Sequence, residues 1–144
     1  MIYKAFKVLA VIMLAALAMA IVAGCGKPGP AETPPEPEYA DAIAENLLQS
    51  LINTENYTSF IRDFDETMKK AMTEAAFAQT HDDLRAKYGE YQSKIFTLTE
   101  EEVQEVYTAV SYNATFGKRT QGITVKVVFQ ETNQGVFVAG LWFQ

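Results

Sequence analysis

The chain has 144 residues and a mass of 16.0 kDa, room for one modest domain and not two. Its 12 Lys and Arg face 18 Asp and Glu; without Lys4 and Lys7 the remainder carries a net charge of −8, which repels nucleic-acid phosphates and excludes nucleic acid as a partner. A single Cys and a single His exclude an internal disulfide framework and a structural zinc site of those side chains, and no motif asks for a cofactor.

Of the first 24 residues, 21 are apolar, the exceptions being Lys4, Lys7 and Gly24. A positively charged start, Met1 to Lys7, leads into the apolar run Val8 to Val22 and then into the small residues Ala23 and Gly24 before Cys25. This is the three-part form of a secretory signal, and its end resembles a bacterial lipobox. The resemblance implies cleavage between Gly24 and Cys25, a diacylglycerol with palmitate-like chains on the Cys25 sulfur, and an extracytoplasmic protein anchored to the cell membrane by lipid. The alternative, a plain membrane helix, is short: Val8 to Ala23 is 16 residues, against roughly 20 for a span.

Residues 25–38 form a lipidated Cys and a linker. All five prolines of the chain lie between Gly26 and Glu38, a composition that favours an extended, polyproline-like path of about 3.1 Å per residue. The folded domain is expected over 39–144. Ile43, Leu47, Leu48, Leu51 and Ile52 recur at helical spacing, predicting an amphipathic helix over Tyr39–Asn53 that Thr54-Glu55-Asn56 breaks. Tyr57, Phe60, Ile61, Phe64, Met68 and Met72 make the next stripe, a short helix and then a second. Thr73 caps a further helix carrying Phe77, Leu84 and Tyr88, and Gly89 falls where a left-handed C-terminal cap belongs.

The period then changes to two. Ile95 to Leu98 begins a strand, and Val106 to Phe116, Ile123 to Phe129 and Val136 to Trp142 alternate across polar turns, the pattern of an antiparallel meander. Thr99 and Glu102 have the spacing of a capping box, which predicts a helical turn before the long strand. Helices first and a meander after define an α+β fold: helices packed on one face of a curved antiparallel sheet of about four strands.

Tyr57-Thr58-Ser59-Phe60, then Phe64-Asp65-x-x-Met68-Lys69, a helix ending at Gly89, and a final strand pair closing on Val138-Ala139-Gly140-Leu141-Trp142-Phe143 together resemble the domain of unknown function 3887 family of bacterial cell-envelope proteins, over roughly Asp41 to Phe143. The resemblance implies a cone-like, nuclear-transport-factor-like α+β domain whose helices close a curved sheet around a pocket. The family has no established catalytic residues, so it transfers none.

Residues that carry chemistry are sparse. His81 lacks the converging serine and acid of a triad and reads as a surface helix histidine. Asp63-x-Asp65-x-Thr67 with Glu74 has Met68 where a calcium loop needs Gly; no metal site follows. Glu100-Glu101-Glu102 with Glu105 reads as a solvated cluster. Gly140 inside a strand marks a bulge or a close approach, and Asp65 reads as a helix cap. The candidate pocket residues are Tyr57, Asp65 and Tyr112, since cone folds pair a buried acid with tyrosine donors. These observations point to a cell-envelope lipoprotein with a non-catalytic binding or interaction domain, whose partners are the membrane, a small molecule, another envelope protein or a second copy in a homodimer. The alternative is a small isomerase- or dehydratase-like cone enzyme using Asp65 and tyrosines, a class in which Tyr91 and Tyr107 also supply the residue type.

Overall fold

The structure, a computed structural model, describes residues 34–102 and 106–144; the expected signal, the expected cleavage site at Gly24 and Cys25, and Glu105 lie outside the described residues. Helix α1 spans Ala40–Leu48 and continues into a π-helical turn over Gln49–Asn53, so the expected helix is present with its last turn widened. The Thr54 N–H reaches back five residues to the Gln49 carbonyl at 2.9 Å, and Asn56 N–H donates to Ser50 O at 2.8 Å. Glu55 turns the chain with φ of 50°.

Three short polar caps then start three helices. The Asn56 side chain accepts from Ser59 N–H at 3.0 Å and opens α2, Tyr57–Phe60. Asp65 accepts from Met68 N–H at 2.6 Å and opens α3, Glu66–Ala71. Thr73 accepts from Ala76 N–H at 3.2 Å and opens α4, Glu74–Tyr88. Each cap satisfies an N–H that has no partner inside its helix. Gly89 ends α4 with φ 84° and ψ −159°. This is not the left-handed cap that its position suggests but a fully turned-out conformation open essentially to glycine alone. A Cβ at this position would sit 2.9 Å from the Lys118 backbone nitrogen and collide with it.

Strands β1 Tyr91–Glu102, β2 Tyr107–Phe116, β3 Ile123–Thr132 and β4 Gly135–Phe143 form one antiparallel sheet in sequence order. Strand β1 begins four residues before Ile95 and runs through the glutamates: Glu100 pairs with Ala109, Glu101 with Thr108 and Glu102 with Tyr107. The helical turn expected from Thr99 and Glu102 is therefore replaced by strand. Thr99 is buried, and its hydroxyl donates to the Pro35 carbonyl at 3.2 Å instead of capping; pairing with β2 outweighs a local cap signal.

One sheet face is apolar and covered. Val110, Tyr112, Ala114 and Phe116 of β2, and Ile123, Val125, Val127 and Phe129 of β3, alternate inward, all buried, as the period of two predicts. Phe60, Phe64 and Phe77 close over them, with ring centroids 4.9 Å apart for Phe60–Phe64 and 5.2 Å for Phe60–Phe77. Burying each such ring stabilises the fold by about 1.5–3 kcal/mol. The other face is uncovered by any described helix and leaves Ile95, Leu98 and Trp142 exposed at 70, 36 and 47 %. Register shifts fall between Phe96 and Leu98, and between Val128 and Phe129 opposite Gly140 and Val138; such bulges bend and twist a strand. Both readings of Gly140 hold, because the Trp142 ring also lies so close that a Cβ there would sit 2.0 Å from it.

Candidate functional site

Polar side chains gather where the N-terminal arm meets β1 and β2. Lys94 points to the covered face, and its side chain is only 4 % exposed. A buried ammonium needs partners. The ammonium lies 2.5 Å from Asp41 and 3.4 Å from Glu45, one helical turn apart on α1, and 5.1 Å over the Tyr112 ring. The Tyr91 hydroxyl donates to Glu45 at 2.6 Å. Burial alone would raise the Glu45 carboxyl, but the bonds from Tyr91 and Gln49 and the Lys94 charge outweigh it and hold it below its ordinary 4.5.

Tyr112 is fully buried, and its hydroxyl donates to Glu36 at 2.6 Å. Glu36 and Pro35 lie in the segment that composition reads as linker, so its last residues strap onto the sheet. Tyr39 stacks edge-on against Phe129, centroids 5.2 Å apart, and donates to Glu131 at 2.7 Å. Burial first, and then a facing carboxylate, raise all three phenols. Tyr39 is pushed up to about 12, and Tyr91 and Tyr112 are raised further.

The candidate pocket residues have separate partners. The Tyr57 hydroxyl donates to Met72 O at 2.8 Å, Asp65 is engaged as the α3 cap, and Tyr112 holds Glu36. Asp65 lines a cleft whose walls include neither tyrosine. This open cleft of about 600 Å³ runs between Asp65, Glu66 and Thr67 on one side and Gln130 and the β3–β4 hairpin, Thr132 to Gln134, on the other, with Phe137 beside it. Among the described residues there is no group of three or more His, Cys, Asp or Glu able to hold a metal, and no fully buried polar side-chain atom lacks a partner.

His81 differs from its reading as a surface residue. It is 8 % exposed, with Nδ1 2.6 Å from the Leu51 carbonyl and Nε2 4.0 Å from Glu55. The terminal carbonyls of a helix have no acceptor role inside it, and α4 supplies the donors: His81 to Leu51 and, one turn on, Arg85 to the Ile52 carbonyl at 2.8 Å. The signal was in the spacing, since Phe77, His81, Leu84 and Tyr88 form one helical face. Lys94 carried no such signal, because an isolated lysine in a strand reads as solvent-facing.

Helices on one face of an open four-stranded antiparallel sheet, with a polar seam at the N-terminal arm, make this a small α+β domain. A family model described as "Protein of unknown function (DUF3887)" matches residues 44–136, and the chain belongs to that family. Neither the comparison with curated proteins nor that with solved structures gave a match.

Two outcomes follow from the seam. Glu36→Ala strands the Tyr112 hydroxyl in the interior and should cost about 1–3 kcal/mol, whereas Tyr112→Phe returns Glu36 to water and should cost about 0.5–1.5 kcal/mol; urea unfolding of both variants checks the order, and a larger loss for Tyr112→Phe contradicts the burial argument. The raised phenols contribute stability that is complete below their ordinary value of 10.0 and is lost as pH rises through the folded values. Tyrosinate absorbance should therefore show Tyr91 and Tyr112 ionising only together with alkaline unfolding, and their ionisation in the folded chain would contradict it.

Proposed function

We propose that this chain is a lipid-anchored protein of the cell envelope, held through Cys25 on the extracytoplasmic side of the membrane, whose domain binds rather than catalyses. The observation that carries the binding reading is the filled interior. Tyr112, Phe60, Phe64, Phe116 and Phe129 occupy the space between helices and sheet with no exposure beyond 1 %, and Asp65, the acid nominated for chemistry, caps a helix beside an open cleft. An enzyme of the cone type needs a deep pocket with a carboxylate in it.

The anchoring reading rests on the charged start, the apolar run and the small residues before Cys25. The proline-rich spacer supplies distance from the membrane. The uncovered sheet face, framed by Ile95 and Leu98 near one edge and Trp142 at the other, is the surface for a second copy or another envelope protein; exposed apolar area of this kind marks association sites.

Metabolic labelling with a fatty acid should mark the wild-type chain and leave Cys25→Ser unlabelled; undiminished labelling of the variant refutes the anchor. Sedimentation of the full chain in mild detergent should show a dimer that Ile95→Lys returns to monomer. A wild-type monomer at high concentration removes the second copy as partner.

A further inference from the structure

We propose that the cleft between the start of α3 and the β3–β4 hairpin is a binding site for a neutral oligosaccharide. This deepens the binding-module reading, on which it rests, by naming a ligand class. The cleft volume of about 600 Å³ falls in the range of roughly 300–1,000 Å³ typical of ligand sites.

The lining decides the chemistry. Its charged side chains are Asp65 and Glu66, with no Lys or Arg in the lining. Glu66 lies 3.5 Å from the Lys69 ammonium, but Asp65 faces the cleft without a cation beside it in the lining, so phosphates, sulfates and carboxylates are disfavoured. Two acids without a third ligand do not make a cation site, and no group of three or more His, Cys, Asp or Glu gathers among the described residues. An extended peptide would need a free strand edge, but beside the cleft the Val138 N–H and C=O are taken by Asp63 O at 2.6 Å and Asp65 N–H at 2.9 Å.

What remains suits hydroxyl groups. Gln130, Asn133 and Gln134 line one wall, and a side-chain amide donates and accepts, as each sugar hydroxyl does. The Gln130 amide nitrogen already donates to the Tyr107 hydroxyl at 3.3 Å, which leaves its oxygen as the acceptor. Asp65 adds an acceptor whose orientation is set by its bond to Met68 N–H. Phe137, half-buried on β4, gives a flat apolar surface for the C–H face of a pyranose ring. The hairpin tip is held in shape before any ligand arrives: Thr132 Oγ1 donates to Gly135 O at 3.0 Å and accepts from Gln134 N–H at 3.1 Å. Such pre-organisation lowers the ordering cost of binding.

The test titrates the full chain with β-1,4-linked glucose and N-acetylglucosamine tetramers, read by calorimetry and by saturation transfer to the sugar protons. Binding of at least one tetramer is expected, weakened about tenfold by Asn133→Ala and by Phe137→Ala, the loss of roughly one good contact, and unchanged by Asp82→Asn on the exposed side of α4. Asn133 lies at an exposed turn, so its variant folds even if Phe137→Ala does not. No binding of either tetramer at about 10 mM, or binding that survives both variants, overturns the proposal. Silence of the sugars with the sheet-face dimer intact removes the ligand and leaves the binding module. Loss of both lipid labelling and self-association with sugar binding intact leaves the cleft and removes the rest of the functional reading.

Discussion

An open sheet with one apolar face must be roofed, and in this chain the described helices before Tyr91 serve that need. Eight inward side chains of the two central strands, from Val110 to Phe129, are buried, and water would reach them without α1, the π-helical turn and the aromatic triplet Phe60, Phe64 and Phe77. Closing the roof brings α1 over β1, where Lys94 sits on the covered side. The positions of Asp41, Glu45, Tyr91 and Tyr112 follow from that one charge, since an ammonium 4 % exposed requires carboxylates within reach. The remaining seam of the roof is closed by Phe64, which pairs in parallel with Val138 and covers the start of the β4 edge.

Sequence made the α+β class, the four strands and the break at Thr54-Glu55-Asn56 legible, because apolar period and polar turns are local properties. The Asp65 and Thr73 caps were legible for the same reason. What stayed hidden depends on partners far along the chain. Thr99 and Glu102 carry a genuine local cap signal, yet pairing with β2 takes precedence. Lys94 faces inward only because α1 brings two carboxylates across from more than forty positions away. Pro35 and Glu36 sit in a tract whose composition argues for solvent, and the Tyr112 and Thr99 hydroxyls draw them onto the fold. Of the candidate residues, Asp65 borders a cleft that neither Tyr57 nor Tyr112 lines, and the turn at Thr132 to Gln134 that forms its far wall reads in sequence as an ordinary polar turn.

The π-helical turn explains His81. Widening the last turn of the first helix displaces its carbonyls from the regular ladder, and the Leu51 and Ile52 carbonyls then meet the face of α4 carrying His81 and Arg85. The sole histidine thereby joins two helices, its Nδ1 donating to the carbonyl it faces.

The strap formed by Pro35 and Glu36 has a mechanical consequence. Covalent order makes it the first described segment that a pull along the preceding chain meets. The bonds at Tyr112 and Thr99 then lie ahead of α1 in the load path and open one after the other, not in parallel. Strands β2 and β3 stand outside that path. Freed segments lengthen by at most about 3.3–3.6 Å per residue, so yielding at the strap gives a few residues of slack while the sheet keeps its register.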